Sequence, residues 1–447
     1  MLFHPFSKPL CAGFSALIFG LVSIWSQAVE AQQYNVIIMM SDDVGFGDAS
    51  HHGWGDVRTP SLDRLAQQGV SFSNGYVVSP MCGPSRAGLL TGRYPQRWGS
   101  DWNYNESWPE DRPTIATWLG DNGYATACFG KWHGTGREPK KSGFDQFFGF
   151  FGAQQGGSGS WMLDEGYFTD VYTDKGLEFM RAAVNADQPF FLYLPYGTCH
   201  VPMHIPPGYE EEFTHVSDET RREFLCMQAA MDANRMRVLD EVESLGIAQQ
   251  TLIIYLSDNG GYYKNASSNQ PLAGAKLTLW EGGIRVPMIW SLPGVLPQGV
   301  EHEEVISTLD IAATFLPLTG TSTTEALDGA NVLPWLTGEA APPAERTLCF
   351  TIYGGRQKAC RLGDWKWIKP AADGTDQLYN LANDIGETED LADEHPEKLQ
   401  EVKAAFDAWS SENPQLGQDG EGALDRYLRE AGRPPFLRPL QGATISF

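Results

Sequence analysis

Short apolar runs alternate with longer amphipathic stretches along most of the chain. Four runs are apolar at nearly every position, which is typical of parallel strands buried on both faces of a sheet. They span residues 34–40, 124–129, 189–194 and 251–256. Between the last two lies a long stretch with helical spacing, from Ser217 to Leu245, which ends at Gly246. This alternation predicts an α/β fold with a doubly wound, mainly parallel sheet.

Proline and glycine mark the ends of two shorter predicted helices. Thr59 precedes Pro60 at the start of the first helix, and Gly69 ends it. The second helix has the same pattern, beginning at residues 112–113 and ending at Gly123.

The sequence changes character in a segment rich in proline, glycine and threonine, residues 318–343. Beyond it, a helix is predicted over residues 396–409, after three short strands. These strands span residues 347–353, 358–362 and 365–369. We therefore predict a catalytic domain over residues 32–340 and a smaller C-terminal α+β subdomain of antiparallel strands and a helix over residues 341–447.

Residues 1–31 have the features of an export signal. Lys8 precedes an apolar run over residues 10–25, and small residues follow at Ala28 and Ala31. The run is too short and too interrupted to predict a stable membrane span. We therefore expect a periplasmic or secreted protein.

Charge and cysteine content restrict the possible partners. The chain has 447 residues and a net charge of −24, which argues against nucleic acid as a partner because phosphate binding needs a basic surface. An anionic substrate would need positive charge concentrated in the site. The cysteines are irregularly spaced and do not suggest a disulfide framework, although Cys349 and Cys360 could pair across a hairpin.

Polar residues follow each of the four apolar runs. In chain order they are Asp42 and Asp43, Lys131 and His133, His200, and Asp258 and Asn259. The carboxyl ends of parallel strands meet at one edge of a sheet, so we expect these side chains to lie together. The carboxylate and amide oxygens suit a hard divalent cation, Ca²⁺ or Mg²⁺. Turns and helix caps use the same residue types, which is the alternative interpretation for each pair.

Residues 79–93 carry the strongest local signal. A β-like stretch over residues 70–78 leads into a helical segment that opens at residues 83–84. Cys82 therefore lies at a helix N-terminus, where free N–H groups favour an anion, and Arg86 follows about one turn later. A buried structural cysteine is the alternative.

The run Cys82-Gly-Pro-Ser-Arg86, followed by Leu-Thr-Gly-Arg at residues 90–93, resembles the signature of the formylglycine-dependent sulfatases of the alkaline-phosphatase-like superfamily. Similar family elements are Gly-Lys-Trp-His at residues 130–133, His-Val-Pro at 200–202 and the segment 273–287 around Lys276. The resemblance extends over residues 35–369 and to the Leu-Tyr-Asn-Leu strand at 378–381. Gly83 and Ala275 depart from the commoner family residues without removing a catalytic group.

The resemblance implies a specific chemistry for these residues. Cys82 is converted to formylglycine (3-oxoalanine) by a formylglycine-generating or anaerobic sulfatase-maturating enzyme, and its hydrated aldehyde is the nucleophile. One Ca²⁺ binds to Asp42, Asp43, residue 82, Asp258 and Asn259. Arg86 and the Ca²⁺ hold the hydrate oxygen that faces sulfur, and the Ca²⁺, Lys131 and Lys276 neutralise the sulfuryl oxygens. His200 protonates the leaving oxygen with help from Lys276, and His133 removes a proton from the second hydroxyl of the hydrate. Glu281 and Arg285 are expected to pair structurally.

Export, acidity and an aromatic insertion over residues 98–104, with Trp161 beyond it, favour a sulfated carbohydrate as substrate. The chain resembles the N-acetylgalactosamine-6-sulfatase and algal-polysaccharide branches. Core packing is the alternative role for these aromatic residues. Two other functions remain open, namely a phosphoester or phosphonate hydrolase of the same superfamily and a non-catalytic glycan-binding relative in which Cys82 is not matured.

Overall fold

The computed structural model describes residues 33–53, 56–101, 111–133, 137–151, 162–163, 166–370 and 374–413. Its largest element is an eight-stranded sheet. The strands are β1 (Asn35–Ser41), β2 (Val70–Phe72), β4 (Ala125–Trp132), β5 (Gln146–Phe151), β8 (Phe190–Pro195), β9 (Thr251–Ser257), β10 (Met288–Ser291) and β11 (Val300–His302). Their order is β11-β2-β10-β9-β1-β8-β4-β5, and within this sheet only β10 runs antiparallel to its neighbours. The predicted mainly parallel sheet is confirmed.

Helices and two small sheets complete the described part of this domain. The helices, with one from the C-terminal subdomain, are α1 (Pro60–Gln67), α2 (Cys82–Thr91), α3 (Ile115–Asp121), α4 (Phe168–Asn185), α5 (Glu219–Ser244), α6 (Glu281–Ile284), α7 (Thr308–Leu318), α8 (Leu333–Leu336) and α9 (Pro396–Ser411). The small sheets pair β3 (Gly75–Tyr76) with β12 (Ile306–Ser307) and β6 (Met162–Leu163) with β7 (Gly166–Tyr167).

Strand β1 shows why the fold is doubly wound. All seven of its residues are buried, and alternate side chains face opposite sides of the sheet. Ile37 and Met39 belong to one apolar core, which includes side chains of α1, α4 and α5. Val36 and Ile38 belong to a second core with side chains of α2, α3 and α7. The continuous apolar run is therefore explained by helices on both faces.

The register of β1 aligns the residues that follow the strands. Ser41 pairs with Ser257 of β9, and Met40 pairs with Pro195 of β8. The chain therefore leaves β1 and β9 at the same level, which places the polar pairs 42–43 and 258–259 side by side.

A second, antiparallel sheet forms the C-terminal subdomain. It consists of β13 (Thr347–Ile352), β14 (Gln357–Leu362), β15 (Trp365–Lys369) and β16 (Gln377–Asn380), in that order. Helix α9 packs on it through Phe406, whose ring centroid lies 5.1 Å from that of Trp367. Cys349 and Cys360 face each other on β13 and β14 and form a disulfide. The predicted antiparallel unit with a helix is confirmed, whereas the boundaries 32–340 and 341–447 stay predictions.

Several predicted boundaries were wrong by a few residues. Strand β4 continues to Trp132, because residues 130–132 still pair with β5, so Lys131 lies within the strand and not after it. Helix α3 begins at Ile115, because Thr114 and not residues 112–113 forms the cap, through a capping box with Thr117. Helix α2 begins at Cys82 itself. At α1, the Thr59 hydroxyl bonds to Ser50 and not to the helix N-terminus.

The predicted export signal, residues 1–31, lies outside the described residues. The predicted boundary between the signal and the catalytic domain, at residues 31–32, also lies outside them. Among the residues that the structure describes, no helix is both long and apolar enough to cross a bilayer.

Candidate active site

Cys82 is the first residue of α2 and is only 1% exposed. Its Sγ lies 3.2 Å from Nζ of Lys276 and 3.7 Å from Oδ1 of Asp42. Burial raises the pKa of this thiol to about 12, although Lys131 and Lys276 act in the opposite direction. An unmodified cysteine here is therefore a neutral thiol at pH 7 and a poor nucleophile.

Three buried cations surround the cysteine, and each pairs with a carboxylate. Arg86 donates from Nε and Nη2 to Oδ2 of Asp258, at 3.0 and 2.7 Å. Lys131 donates to Oδ2 of Asp42, and Lys276 donates to Oδ1 of Asp43 at 2.6 Å. The equal number of opposite charges lets these groups remain ionised away from water. The predicted anion-binding residues are thus brought together around residue 82.

The acidic residues leave oxygens available for a cation. Oδ2 of Asp43 and Oδ1 of Asn259 are buried and have no hydrogen-bond partner among the described residues. One ligand atom from each of Asp42, Asp43, Cys82 and His200 lies within 4.8 Å of the others. Burial alone would raise the pKa of Asp42 and Asp43, but it is outweighed mainly by Lys131 and Lys276 respectively, and both pKa values are lowered. Ionised, under-coordinated oxygens of this kind fit Ca²⁺.

The other two predicted metal-binding residues, Asp258 and Asn259, directly follow β9. Asp258 holds Arg86, and its Oδ1 accepts a bond from the backbone N–H of Asp43 at 3.3 Å. Asn259 donates from Nδ2 to Oδ1 of Asp43 at 2.8 Å. The Oδ1 atom of Asn259 takes no part in this bond and has no other hydrogen-bond partner among the described residues. All the residues predicted to bind the metal therefore lie in one cluster, and their metal-binding roles stay predictions.

Two histidines lie close enough to this cluster to interact electrostatically with Lys131 and Lys276. His200 is held by a contact between Nδ1 and the Val201 carbonyl oxygen, and its Nε2 lies 3.8 Å from Oδ2 of Asp43. His133 is 6% exposed. Burial, with repulsion from Lys131 and other cations, holds the pKa of His133 well below its usual value. His133 is therefore neutral at pH 7.

The turn that carries Lys276 is fastened to both sides of the site. The backbone N–H of Lys276 bonds to the carbonyl of Gly261 at 3.0 Å. Leu277 has a φ of 74° and donates its N–H to the carbonyl of Pro80 at 3.0 Å. The carbonyl of Leu277 accepts a bond from the Tyr353 hydroxyl of the C-terminal subdomain at 3.1 Å. Lys276 is thereby held in place against the segment that leads to Cys82.

A buried ion cluster joins α6, which follows this turn, to the C-terminal subdomain. Lys366 of β15 is fully buried between Glu281 and Glu387, with Nζ 2.8 Å from an oxygen of each. Glu387 also accepts a bond from the backbone N–H of Glu281 at 2.7 Å. The expected Glu281–Arg285 contact is present but longer, at 3.5 Å. Sequence reasoning missed Tyr353, Lys366 and Glu387, since no local pattern distinguishes them from ordinary strand and loop residues.

The cluster holds one carboxyl group that is easily protonated. Burial raises the pKa of Glu387 to about 7. The pKa of Glu281 is lowered to about 2, because Lys366 and the nearby arginines outweigh its own burial. Glu281 therefore carries the negative charge that balances Lys366 in this buried junction.

Fold and site define this protein as a hydrolase of the alkaline-phosphatase-like superfamily. The chain belongs to the sulfatase family, because the family model described as Sulfatase matches residues 34–321. A second model, described as N-sulphoglucosamine sulphohydrolase, C-terminal, matches residues 275–408. The resemblance to sulfatases is thereby confirmed, and the protein is a sulfuric ester hydrolase.

Named relatives are also sulfatases. Arylsulfatase J of Mus musculus is 32% identical over 316 residues, and the match covers 64% of this chain and 52% of that protein. N-acetylgalactosamine-6-sulfatase of Sus scrofa is 29% identical over 382 residues, covering 75% of this chain and 71% of the relative. Arylsulfatase G of Rattus norvegicus is 26% identical, and the match covers 98% of each chain.

Solved structures agree with this assignment. One described as Ps i-CgsB in complex with k-i-k-neocarrahexaose has a TM-score of 0.80 and 31% identity, covering 91% of this chain and 99% of that one. A phosphonate monoester hydrolase from Silicibacter pomeroyi has a TM-score of 0.69 at 21% identity, covering 86% of this chain and 96% of that one. The second likeness shows the shared fold alone.

Proposed function

We propose that this protein hydrolyses sulfate esters of a carbohydrate and releases inorganic sulfate, with formylglycine at residue 82 and one Ca²⁺. The observation that carries the proposal is the position of Cys82. It lies at a helix N-terminus, 3.2 Å from Lys276, amid three buried cations. Carbohydrate is favoured because one relative is named an N-acetylgalactosamine-6-sulfatase and one similar structure contains a neocarrahexaose.

Formylglycine would supply a hydrated aldehyde as the nucleophile, a role that the buried neutral thiol does not suit. Arg86, Lys131 and Lys276 bind the sulfuryl oxygens and stabilise the charge that grows on them as the ester bond breaks. Their own carboxylate partners hold them in place, so little reorganisation is needed when substrate binds. Sulfate esters hydrolyse slowly without help, and this preorganised charge is the main source of rate enhancement.

Proton transfer is assigned to His200, Lys276 and His133. His200 is oriented by the Val201 carbonyl so that Nε2 faces the cluster. Burial lowers the pKa of His200, so its neutral form keeps the proton on Nδ1, and Nε2 protonates the leaving oxygen only from the imidazolium form. Lys276, whose pKa is raised well above the ordinary value because Asp43 and other acidic groups outweigh burial, stays an ammonium ion and assists by hydrogen bonding. His133, which is neutral, would accept the proton from the second hydroxyl of the residue-82 hydrate.

Asp42, Asp43, Asp258, Asn259 and residue 82 would hold the Ca²⁺. When bound, the ion supplies Lewis-acid stabilisation of the sulfuryl oxygens. The fit rests on the two unpartnered oxygens of Asp43 and Asn259.

Calcium should stabilise the folded protein measurably. A ligand present at about 100 times its dissociation constant adds about 2.7 kcal/mol, so we expect saturating CaCl₂ to raise the melting temperature of EDTA-treated protein by roughly 2–5 °C. Asn259→Ala should remove most of this increment, because one of the two free oxygens is lost. The exposed Asn383 provides the control, and Asn383→Ala should keep the full increment. An unchanged increment in Asn259→Ala would exclude this residue as a ligand.

The proposed sugar-binding aromatics give little structural support. Residues 102–104 and Trp161 lie outside the described residues. Trp98 packs against the second apolar core, which agrees with the alternative that it is a core residue. The choice of carbohydrate therefore rests on the relatives and needs a direct test.

Sulfate release tests the proposal as a whole. Protein co-produced with a formylglycine-generating enzyme should release sulfate from at least one member of a panel of sulfated galactans, fucans, ulvans and glycosaminoglycans. It should hydrolyse an aryl sulfate faster than the matching aryl phosphate. Faster phosphate hydrolysis would favour the phosphoester hydrolase instead. Glycan binding without sulfate release, by protein whose residue 82 is fully converted, would favour a binding protein.

Location and maturation belong to the same proposal. We propose that residues 1–31 direct export, so that the protein acts in the periplasm or outside the cell. Its partners are then a sulfated poly- or oligosaccharide and the enzyme that converts Cys82.

A further inference from the structure

The side chain of Asn265 joins two backbone segments of the site. Asn265 ends the short helical turn Tyr263–Asn265, which follows β9, and it is fully buried. Its Nδ2 donates to the carbonyl of Asp43 at 3.1 Å and to the carbonyl of Cys199 at 2.9 Å. The first segment carries a proposed metal ligand, and the second continues directly into His200. One amide group therefore connects the two.

Groups outside the proposed metal site hold the turn that carries Asn265. Oδ1 of Asn265 accepts a bond from the Ser267 N–H at 3.0 Å, and the Ser267 hydroxyl donates to Asp48 at 2.5 Å. Arg221 of α5 donates to the Ala266 carbonyl at 3.0 Å and pairs with Asp48 at 2.8 Å. None of these partners is a proposed metal ligand, so the position of Asn265 does not depend on a bound cation.

The backbone of Asp43 needs to be held in place. Its φ of 61° lies in the left-handed region, which is unfavourable for a residue with a side chain. Its N–H donates to Oδ1 of Asp258 at 3.3 Å, and its carbonyl accepts the bond from Asn265. This backbone conformation sets the position of Oδ2 of Asp43, one of the two oxygens on which the fit to Ca²⁺ rests. Loss of the Asn265 bond should let the backbone relax and move that oxygen.

The segment that leads to His200 depends on the same amide. Nε2 of His200 lies 3.8 Å from Oδ2 of Asp43. The carbonyl of Cys199, the residue before His200, is buried with the rest of that residue. A buried carbonyl that loses its partner is unfavourable, so removal of the Asn265 amide should displace this segment as well.

We propose that Asn265 is a positioning residue for sulfate ester hydrolysis, which sets the distance between the calcium ligand Asp43 and the proton donor His200. The inference rests on the proposed function, in which those two residues have these roles. Asn265 acts only through them. A shift of reacting groups by about 1 Å costs on the order of 100-fold in rate. Loss of a group that holds a metal ligand typically costs about 10- to 100-fold in metal affinity or activity.

The variant Asn265→Ala tests this role with two independent measurements. In fully matured protein with saturating CaCl₂, kcat for the sulfate ester that the wild type hydrolyses fastest should fall about 10- to 100-fold. KM should stay within about threefold, because Arg86 and Lys131 have carboxylate partners other than Asp43. Calorimetry on EDTA-treated protein should show a Kd for Ca²⁺ that is raised about tenfold.

A second buried asparagine provides the matched control. Asn234 of α5 is 3% exposed and donates from Nδ2 to Asp170 and to the carbonyl of Ala230, at 2.6 and 2.9 Å. Asn234→Ala therefore removes the same number of donated bonds outside the site. It should lower the melting temperature by a similar amount but leave kcat and the Kd for Ca²⁺ unchanged. A merely structural role for Asn265 would give that same result.

A milder substitution keeps the test decisive if Asn265→Ala does not fold. Asn265→Ser retains a hydroxyl, which can donate to one of the two carbonyls directly or through a water molecule. Its kcat should therefore lie between those of the wild type and Asn265→Ala, and it is compared with the same Asn234→Ala control.

The inference requires both the fall in kcat and the rise in the Kd for Ca²⁺. Either change alone, a rise in KM alone, or wild-type values in the folded Asn265 variants would overturn it. If fully matured wild-type protein releases sulfate from no ester, the proposed function fails, and the inference fails with it. An active wild type that binds Ca²⁺, matched by its Asn265 variants, contradicts the inference alone.

Discussion

We expect Cys82→Ala to abolish sulfate release, with kcat/KM falling by roughly 10⁴-fold or more. Loss of a nucleophile has effects of this size, because the remaining groups stabilise charge but form no covalent intermediate. Arg86, Lys131 and Lys276 keep their carboxylate partners in this variant, so substrate binding should fall much less than turnover. Sulfate release by purified, metal-loaded protein is the measurement.

A matched variant and a mass measurement complete this test. Cys226→Ala removes another buried thiol, on α5 and outside the site, and should keep activity. In active wild-type protein the tryptic peptide containing residues 81–86 should be ~18 Da lighter than its cysteine form, because oxygen replaces the thiol sulfur and two hydrogens. Turnover by Cys82→Ala, or full activity in protein whose residue 82 is entirely cysteine, would contradict the proposal.

Replacement of Lys366 should have the largest effect on stability. Its ammonium is fully buried and is held by Glu281 and Glu387. Lys366→Met leaves the ionised Glu281 without its nearest cation, and breaking such a pair costs about 3–5 kcal/mol. We expect that loss in the free energy of unfolding, measured by urea denaturation with Ca²⁺ present.

Two variants control for general damage to β15. Lys369 lies on the same strand but is partly exposed, and Lys369→Met should lower the free energy of unfolding by no more than about 0.5 kcal/mol. Glu387→Gln keeps a carbonyl oxygen for the Glu281 N–H and should cost about 1 kcal/mol. If Lys366→Met were no less stable than Lys369→Met, the buried cluster would not stabilise the junction with the C-terminal subdomain. If Lys366→Met does not fold, the smaller loss in Glu387→Gln still tests the cluster.

Much of the central site could be predicted from sequence because it depends on strand ends. Apolar runs locate β1 and β9, and parallel pairing necessarily brings the residues after each strand to one edge of the sheet. Asp43 and Asn259, at positions 216 residues apart, are thus joined by a 2.8 Å hydrogen bond, and the order of strands and polar residues along the chain indicated that they would meet. Lys131 was placed after β4 from the sequence but lies within the strand. The end of β4 depends on its pairing with β5, and no residue near Lys131 in the sequence indicates where that pairing stops.

The supports of the site could not be predicted in the same way. Tyr353 and Lys366 belong to the second sheet and its turns, where alternation indicates only which face is buried. Their partners depend on how the two sheets pack, which hydrophobic patterning does not specify. Asn265 is a further example, because its side chain bonds to the carbonyls of Asp43 and Cys199, which are distant in sequence.

The near-complete burial of Cys82 restricts when another enzyme can modify this residue. On the proposed chemistry, the converting enzyme must bind the segment around Cys82, but residues 79–86 are all buried once the chain has folded. We therefore expect conversion on the nascent or unfolded chain. Folded protein that still carries the thiol should stay inactive when the converting enzyme is added late, unless it is first unfolded.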